Sequence, residues 1–194
     1  MDENKKKKKS KKSDKPSPEV QARREAYDWI QSLISALLIC VRGFVFVIRI
    51  MDVNGTSMVP TLKNGDKLLV SGLLYEPERG DIVVFKKDGY DSNKALVKRV
   101  IAVAGDVVNI DFDNGIVYVN GEAVQEEYLD VKTHTKLDFI GPQTVPENCL
   151  FVLGDNRNAS TDSRDKRIGM VDKRVVIGKA LLVIYPFNDF GMVE

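Results

Sequence analysis

From about Ala26 to Ile50 the chain is predominantly apolar, running through Trp29-Ile30, then Leu33-Ile34-Ser35-Ala36-Leu37-Leu38-Ile39-Cys40-Val41, then Phe44-Val45-Phe46-Val47-Ile48. A helix of ~20 residues at 1.5 Å per residue crosses the hydrocarbon of a bilayer, so this run predicts a single membrane anchor over residues 26–48. Arg42 is the objection, since a charge at the centre of a span costs roughly 2.5 to 3.5 kcal/mol. With a span ending near Phe46 the charge falls in the outer turn, where the stem stays in lipid and the guanidinium reaches the head groups. Gly43 and the β-branched and aromatic residues after it suggest that the helix ends there and continues as a strand. A core helix of a soluble protein is the alternative, and the length of the run favours the anchor. A cleaved signal peptide would want small residues at its cleavage site, and no A-x-A pattern follows. A lipoprotein-type site at Cys40 would want a small residue where Ile39 stands.

Beyond the anchor the pattern changes to short apolar runs divided by turns. Gly-Asp recurs beside them: before Lys67-Leu68-Leu69-Val70, before Ile82-Val83-Val84-Phe85, before Val107-Val108-Asn109-Ile110, and after Leu150-Phe151-Val152-Leu153. The spacing is irregular, which marks strand punctuation and not a repeat. Asp113-Asn114-Gly115, Ile116-Val117-Tyr118-Val119 and Asn120-Gly121 read as consecutive hairpins. Val175 to Tyr185 supplies one or two further strands. No other window has a strong helical period, so residues 49–194 predict an all-β domain, a barrel or a set of packed sheets, with 106–148 as a small β-insertion.

Charge adds an asymmetry that the formal net value of +1 conceals. Residues 1–25 carry eight Lys and two Arg against five acidic residues, a net +5, which leaves −4 on the remainder. They form a basic tail whose first 19 residues, nearly free of apolar side chains, are expected to be disordered. The mildly acidic remainder argues against a nucleic-acid-binding domain. Ten basic residues before the span predict a cytoplasmic N-terminus, a single-pass anchor in the cell membrane and an extracytoplasmic domain. Cys40 and Cys149 lie too far apart in context to predict a disulfide, and one His without a CxxC cannot assemble a zinc site of the usual ligand set. No cofactor and no metal are expected. His134, in the polar stretch Val131 to Lys136, reads as a surface residue, so a serine nucleophile would need another base.

Asn54-Gly55-Thr56-Ser57-Met58-Val59-Pro60-Thr61-Leu62 follows the anchor closely. Gly55 permits backbone conformations closed to other residues and Pro60 stiffens the chain, leaving Ser57 between two constraints. A serine there is either a nucleophile or loop punctuation. Lys98 lies within Ala95-Leu96-Val97-Lys98-Arg99-Val100-Ile101-Ala102-Val103, where burial on a strand would depress its ordinary pKa of ~10.4 and make the amine a base. It could equally snorkel at a sheet edge. Arg99 would alternate to the opposite face, so that only one of the two need be buried. A third stretch, Gly154 to Arg164, packs two Arg, two Asp and two Ser into a loop in which carboxylates pair with guanidiniums and hold a hydroxyl, or which is simply solvated.

Together the three stretches resemble the bacterial type I signal peptidases, or leader peptidases. Ser57-Met58-Val59-Pro60-Thr61-Leu62 is similar to their nucleophile motif, Lys98-Arg99-Val100-Ile101-Ala102 with Gly105-Asp106 to their lysine motif, and Gly154-Asp155-Asn156-Arg157 through Ser160, Asp162, Ser163 and Arg164 to their third. The order and spacing agree along nearly all of the chain from the anchor onward. The resemblance implies a membrane-bound serine endopeptidase with a Ser/Lys dyad that removes signal peptides from exported preproteins, cutting after small residues in an Ala-X-Ala pattern. It implies Ser57 as nucleophile, Lys98 as general base, Ser160 as the group that orients Lys98, and Asp155–Arg99 and Asp162–Arg164 as supporting ion pairs. Signal peptides and membrane lipid are the implied partners. Gly55 stands where some members place a serine that serves the oxyanion hole, which leaves the Ser57 N–H and an unassigned second donor. A self-cleaving repressor-type peptidase would want a DNA-binding region and an internal cleavage site, neither of which is visible. A tethered module that binds exported peptides without cutting them would not need Ser57, Lys98 and Ser160 together.

Overall fold

The computed structural model describes residues 18–73, 75–90 and 94–193, with the backbone alone for 44–47. The tail expected over residues 1–25 lies, as far as residue 17, outside them. Contacts divide the chain into two units, meeting between Phe44 and Val45.

The first unit contains most of α1 (Pro18–Val47). Pro18 presets a helical φ at the first position and Glu19 places negative charge in the first turn, where the helix dipole favours it. Gly43 does not end the helix; a single interior glycine costs only about 1 kcal/mol, and α1 runs on to Val47. Trp29, Leu33, Leu37 and Ile39 are all exposed. Among the described residues, however, no helix is long and apolar enough to cross a membrane. Within α1, Arg23, Arg24, Glu25 and Asp28 occupy the early turns and Arg42 a later one, and of the span expected over 26–48 the side chains of 44–47 lie outside the described residues.

The second unit is mainly β, as the short apolar runs predict. An eight-stranded antiparallel sheet has the order β1-β2-β11-β3-β4-β9-β10, with β12 paired to β11. Its strands are β1 (Ile48–Asp52), β2 (Lys67–Ser71), β3 (Ile82–Lys86), β4 (Ala95–Val103), β9 (Cys149–Leu153), β10 (Val171–Asp172), β11 (Val176–Tyr185) and β12 (Gly191–Met192). A second sheet, ordered β7-β6-β5-β8, comprises β5 (Val107–Asp111), β6 (Ile116–Val119), β7 (Glu122–Ala123) and β8 (Gln143–Thr144).

The larger sheet is covered on both faces, which is why its strands read as near-continuous apolar runs. Along β3, Ile82 and Val84 join a cluster with Met58, Leu62, Leu68 and Val70, while the alternate Val83 and Phe85 join Val100, Leu150 and Val152. Along β9, Phe151 and Leu153 turn to a third cluster shared with Val108, Val117 and Phe139 of the smaller-sheet region. Strand β4 lies between β3 and β9 and is buried from Lys98 to Ala102. An aliphatic amine placed there cannot keep its water.

Candidate active site

Ser57 lies in a loop between β1 and β2 that is closed at its neck. The Val53 N–H donates to the Asp66 carbonyl at 2.8 Å and the Gly65 N–H to the Val53 carbonyl at 2.9 Å. Met58 and Leu62, both essentially inaccessible, fasten the loop to the core. Gly55 has φ +104°, in the region that only glycine enters freely, and its N–H donates to Asn64 Oδ1 at 2.8 Å. The sequence reads this glycine correctly as a conformational requirement.

The Lys98 amine meets the Ser57 hydroxyl, Nζ to Oγ, at 2.6 Å, across 41 residues of chain, and donates to the Val97 carbonyl at 2.9 Å. Lys98 is 3% exposed and does not snorkel. Burial drives its pKa down from 10.5 to about 8, against the opposing pull of the Asp162 and Asp155 carboxylates. Arg99 is also buried, unlike the alternation argument expects. Both faces of β4 are covered, and the Arg99 charge is offset by a two-pronged contact with Asp155, Nε to Oδ1 at 3.0 Å and Nη2 to Oδ2 at 2.8 Å.

Glycine at 154 is set by close approach. A Cβ there would lie 2.5 Å from the Ser57 carbonyl oxygen and would overlap Ser160 Oγ. Its N–H donates to Asp162 Oδ2 at 3.0 Å, and Asp162 in turn receives Arg164 through Nε and Nη2, each at 2.8 Å. Both members of that pair have fully buried side chains. Ser160 Oγ is buried without a hydrogen-bond partner among the described residues, so the hydrogen bond to the Lys98 amine that the resemblance implies is not made, and the hydroxyl lies where a side chain on Gly154 would begin. The structure therefore gathers Ser57 and Lys98 directly, holds Gly154 and Ser160 against the same loop, and links Asp155–Arg99 and Asp162–Arg164 behind them.

Other residues contribute without a role legible in the chain. The Thr61 hydroxyl, four residues past Ser57, donates to Asp155 Oδ2 at 2.5 Å and ties the Ser57 loop to the Arg99 pair. Arg157 is buried and donates to the Gly154 carbonyl at 3.0 Å, Glu126 Oε1 at 2.5 Å and the Thr133 hydroxyl at 3.0 Å. Tyr128 lays its ring 3.9 Å from the Arg99 guanidinium carbon. The segment 126–133 thus covers the charges behind the site. Arg157 was findable as one of the two Arg of its motif; Glu126 and Tyr128 carry no local signal. A hollow of about 320 Å³ is lined by Arg79, Gly80, Val100, Ile101 and Tyr128 among others, but by neither Ser57 nor Lys98. Among the described residues no group of His, Cys, Asp and Glu is arranged to hold a metal ion.

The profile of the family described as signal peptidase, peptidase S26, matches residues 26–185. Signal peptidase I of Bacillus licheniformis is 38% identical over 174 residues, covering 84% of this chain and 90% of its own. Signal peptidase I S of Bacillus subtilis (strain 168) is 35% identical over 187 residues, covering 89% and 96% respectively. A solved signal peptidase I from Enterococcus faecalis V583, 32% identical, covers 54% of this chain and 97% of its own, with a TM-score of 0.45. The chain belongs to the signal peptidase family, peptidase S26, and is a peptidase.

Proposed function

We propose that this protein removes signal peptides from exported preproteins, with Ser57 as nucleophile and Lys98 as general base. The observation that carries the reading is the 2.6 Å contact between a buried amine of depressed pKa and a serine hydroxyl. In the neutral state the Lys98 lone pair accepts the Ser57 proton as Oγ bonds to the scissile carbonyl carbon. The resulting ammonium donates that proton to the leaving amine as the carbon–nitrogen bond breaks. Water then attacks the acyl-serine, giving its proton to Lys98 and releasing the acid. The Ser57 backbone N–H faces the developing oxyanion, and the Asp155–Arg99 and Asp162–Arg164 pairs keep the surrounding strands and loop in register.

Substrate placement follows from the sheet. Strand β9 pairs with β4 only from Arg99 onward, while β3 pairs along Ala95 to Arg99. Over Ala95–Val97 one edge of β4 therefore has no strand partner among the described residues, and an extended peptide can add there beside Lys98. Cutting after small residues in an Ala-X-Ala pattern belongs to the same reading, since alternate side chains of an added strand face the same surface. The protein acts at a membrane, with the exposed apolar residues of α1 toward lipid, the basic N-terminal segment in the cytoplasm and the peptidase unit outside it.

The test is labelling of Ser57 by a serine-directed acylating probe across pH. The base form of Lys98 grows as pH rises through about 8. The rate should climb about tenfold per pH unit below that point and level off above it. Labelling that is flat from pH 6 to 10, or absent from the intact protein, contradicts the assignment.

A further inference from the structure

Asn156 reaches the carbonyls on both sides of the nucleophile. Its backbone N–H donates to the Ser57 carbonyl oxygen at 3.0 Å, and its side-chain amide, through Nδ2, donates to the Thr56 carbonyl oxygen at 3.1 Å. The acceptor at each contact is a carbonyl, so the amide nitrogen must face Thr56. The two peptide planes that meet at the Ser57 Cα are thereby held by one residue from a loop almost a hundred positions further along the chain.

The second bond has a directional consequence. A trans peptide unit is planar, with its C=O and N–H pointing in opposite directions. Holding the Thr56 oxygen against Asn156 therefore turns the Ser57 N–H away from Asn156. Among the described residues that N–H makes no hydrogen bond. The preceding residues add little restraint at Thr56 itself: Asn54, Gly55 and Thr56 are exposed, the Gly55 N–H is held by Asn64 Oδ1 at 2.8 Å, and the Thr56 carbonyl has otherwise only the Val59 N–H of its own turn, at 3.2 Å. Asn156 itself cannot drift, because its neighbours are locked, Asp155 by Arg99 and Arg157 by the Gly154 carbonyl.

We infer that Asn156 is a positioning residue that aims the Ser57 backbone N–H at the oxyanion of the tetrahedral intermediate, an inference that rests on the reading of Ser57 as nucleophile. Removing an oxyanion donor outright costs about 10²–10³ in rate. Loosening its aim costs less, and about a tenfold to hundredfold loss is expected.

The experiment compares the full-length parent with Asn156→Ala in detergent, on a preprotein with an Ala-X-Ala site. The substitution removes the Thr56 contact and leaves the backbone bond to Ser57. The expected result is kcat lower by about ten- to a hundredfold, KM within about twofold, and an unchanged pH midpoint, because Lys98 is untouched. Affinity for a peptide aldehyde, which forms a tetrahedral adduct on serine, should fall in step with kcat/KM, while affinity for an uncleavable peptide and the thermal midpoint stay at parental values. Full kcat in the variant overturns the inference. So does a loss accompanied by a moved pH midpoint or a lowered thermal midpoint, which would assign Asn156 to Lys98 or to folding. A parent that does not cleave, or a Ser57→Ala form that does, overturns the underlying reading instead.

Discussion

Lys98→Met abolishes cleavage and at the same time makes the protein more stable at neutral pH. The two effects have one cause. A lysine buried at 3% exposure holds its proton less tightly than in the unfolded chain, with a pKa of about 8 against an ordinary 10.5. The folded-state value is the lower of the two, so its cost to stability is full below about pH 8 and disappears as pH rises beyond 10.5. A shift of that size corresponds to roughly 3 kcal/mol. Methionine fills similar volume without the charge, so denaturant unfolding at pH 7 should show a gain of about 1 to 3 kcal/mol, the lost contacts to Ser57 and Val97 taking part of it. Lys98→Arg separates charge from basicity: a guanidinium keeps the charge but cannot accept the Ser57 proton, so it too should be inactive. Substantial turnover in either variant, or a Lys98→Met protein markedly less stable at pH 7, would remove Lys98 from the role.

Gly154→Ala should cost at least a hundredfold in cleavage. The added methyl would stand 2.5 Å from the Ser57 carbonyl oxygen and overlap the Ser160 hydroxyl. One of those neighbours is backbone, which cannot rotate aside. Either the Ser57 loop or the Gly154 strand end must shift, and a displacement of about 1 Å at the nucleophile is worth roughly 10²-fold. The same change also strains the Gly154 N–H bond to Asp162. Steady-state kinetics should show the loss chiefly in kcat. Parental kcat would show that the Ser57 loop yields without consequence and that its contact with Gly154 does not set the nucleophile.

The sequence exposes the elements of this site better than their assembly. Ser57, Lys98, Asp155, Asp162 and Ser160 stand in three short stretches that signal chemistry only together, through their resemblance to one family's motifs, and the apolar runs around residues 67–71, 82–86 and 149–153 announce strands. The position of β11 between β2 and β3 is invisible, because strand order depends on pairings such as Val176 with Phe85 and Tyr185 with Lys67, far apart along the chain. Burial of Arg99 beside Lys98 contradicts simple alternation, since alternation presumes a sheet with one wet face and here both are covered. The Tyr128 ring against Arg99 and the Glu126 contact to Arg157 come from a segment with no pattern of its own.

The central claim is that Ser57 cuts a signal peptide. The most direct measurement is incubation of a preprotein bearing an Ala-X-Ala site with the purified full-length protein and, in parallel, with Ser57→Ala, followed by mass analysis of the products. The dyad predicts one cut, after the second Ala, by the parent alone. Equal cutting by Ser57→Ala, or an intact preprotein bound but uncut by the parent, would contradict it.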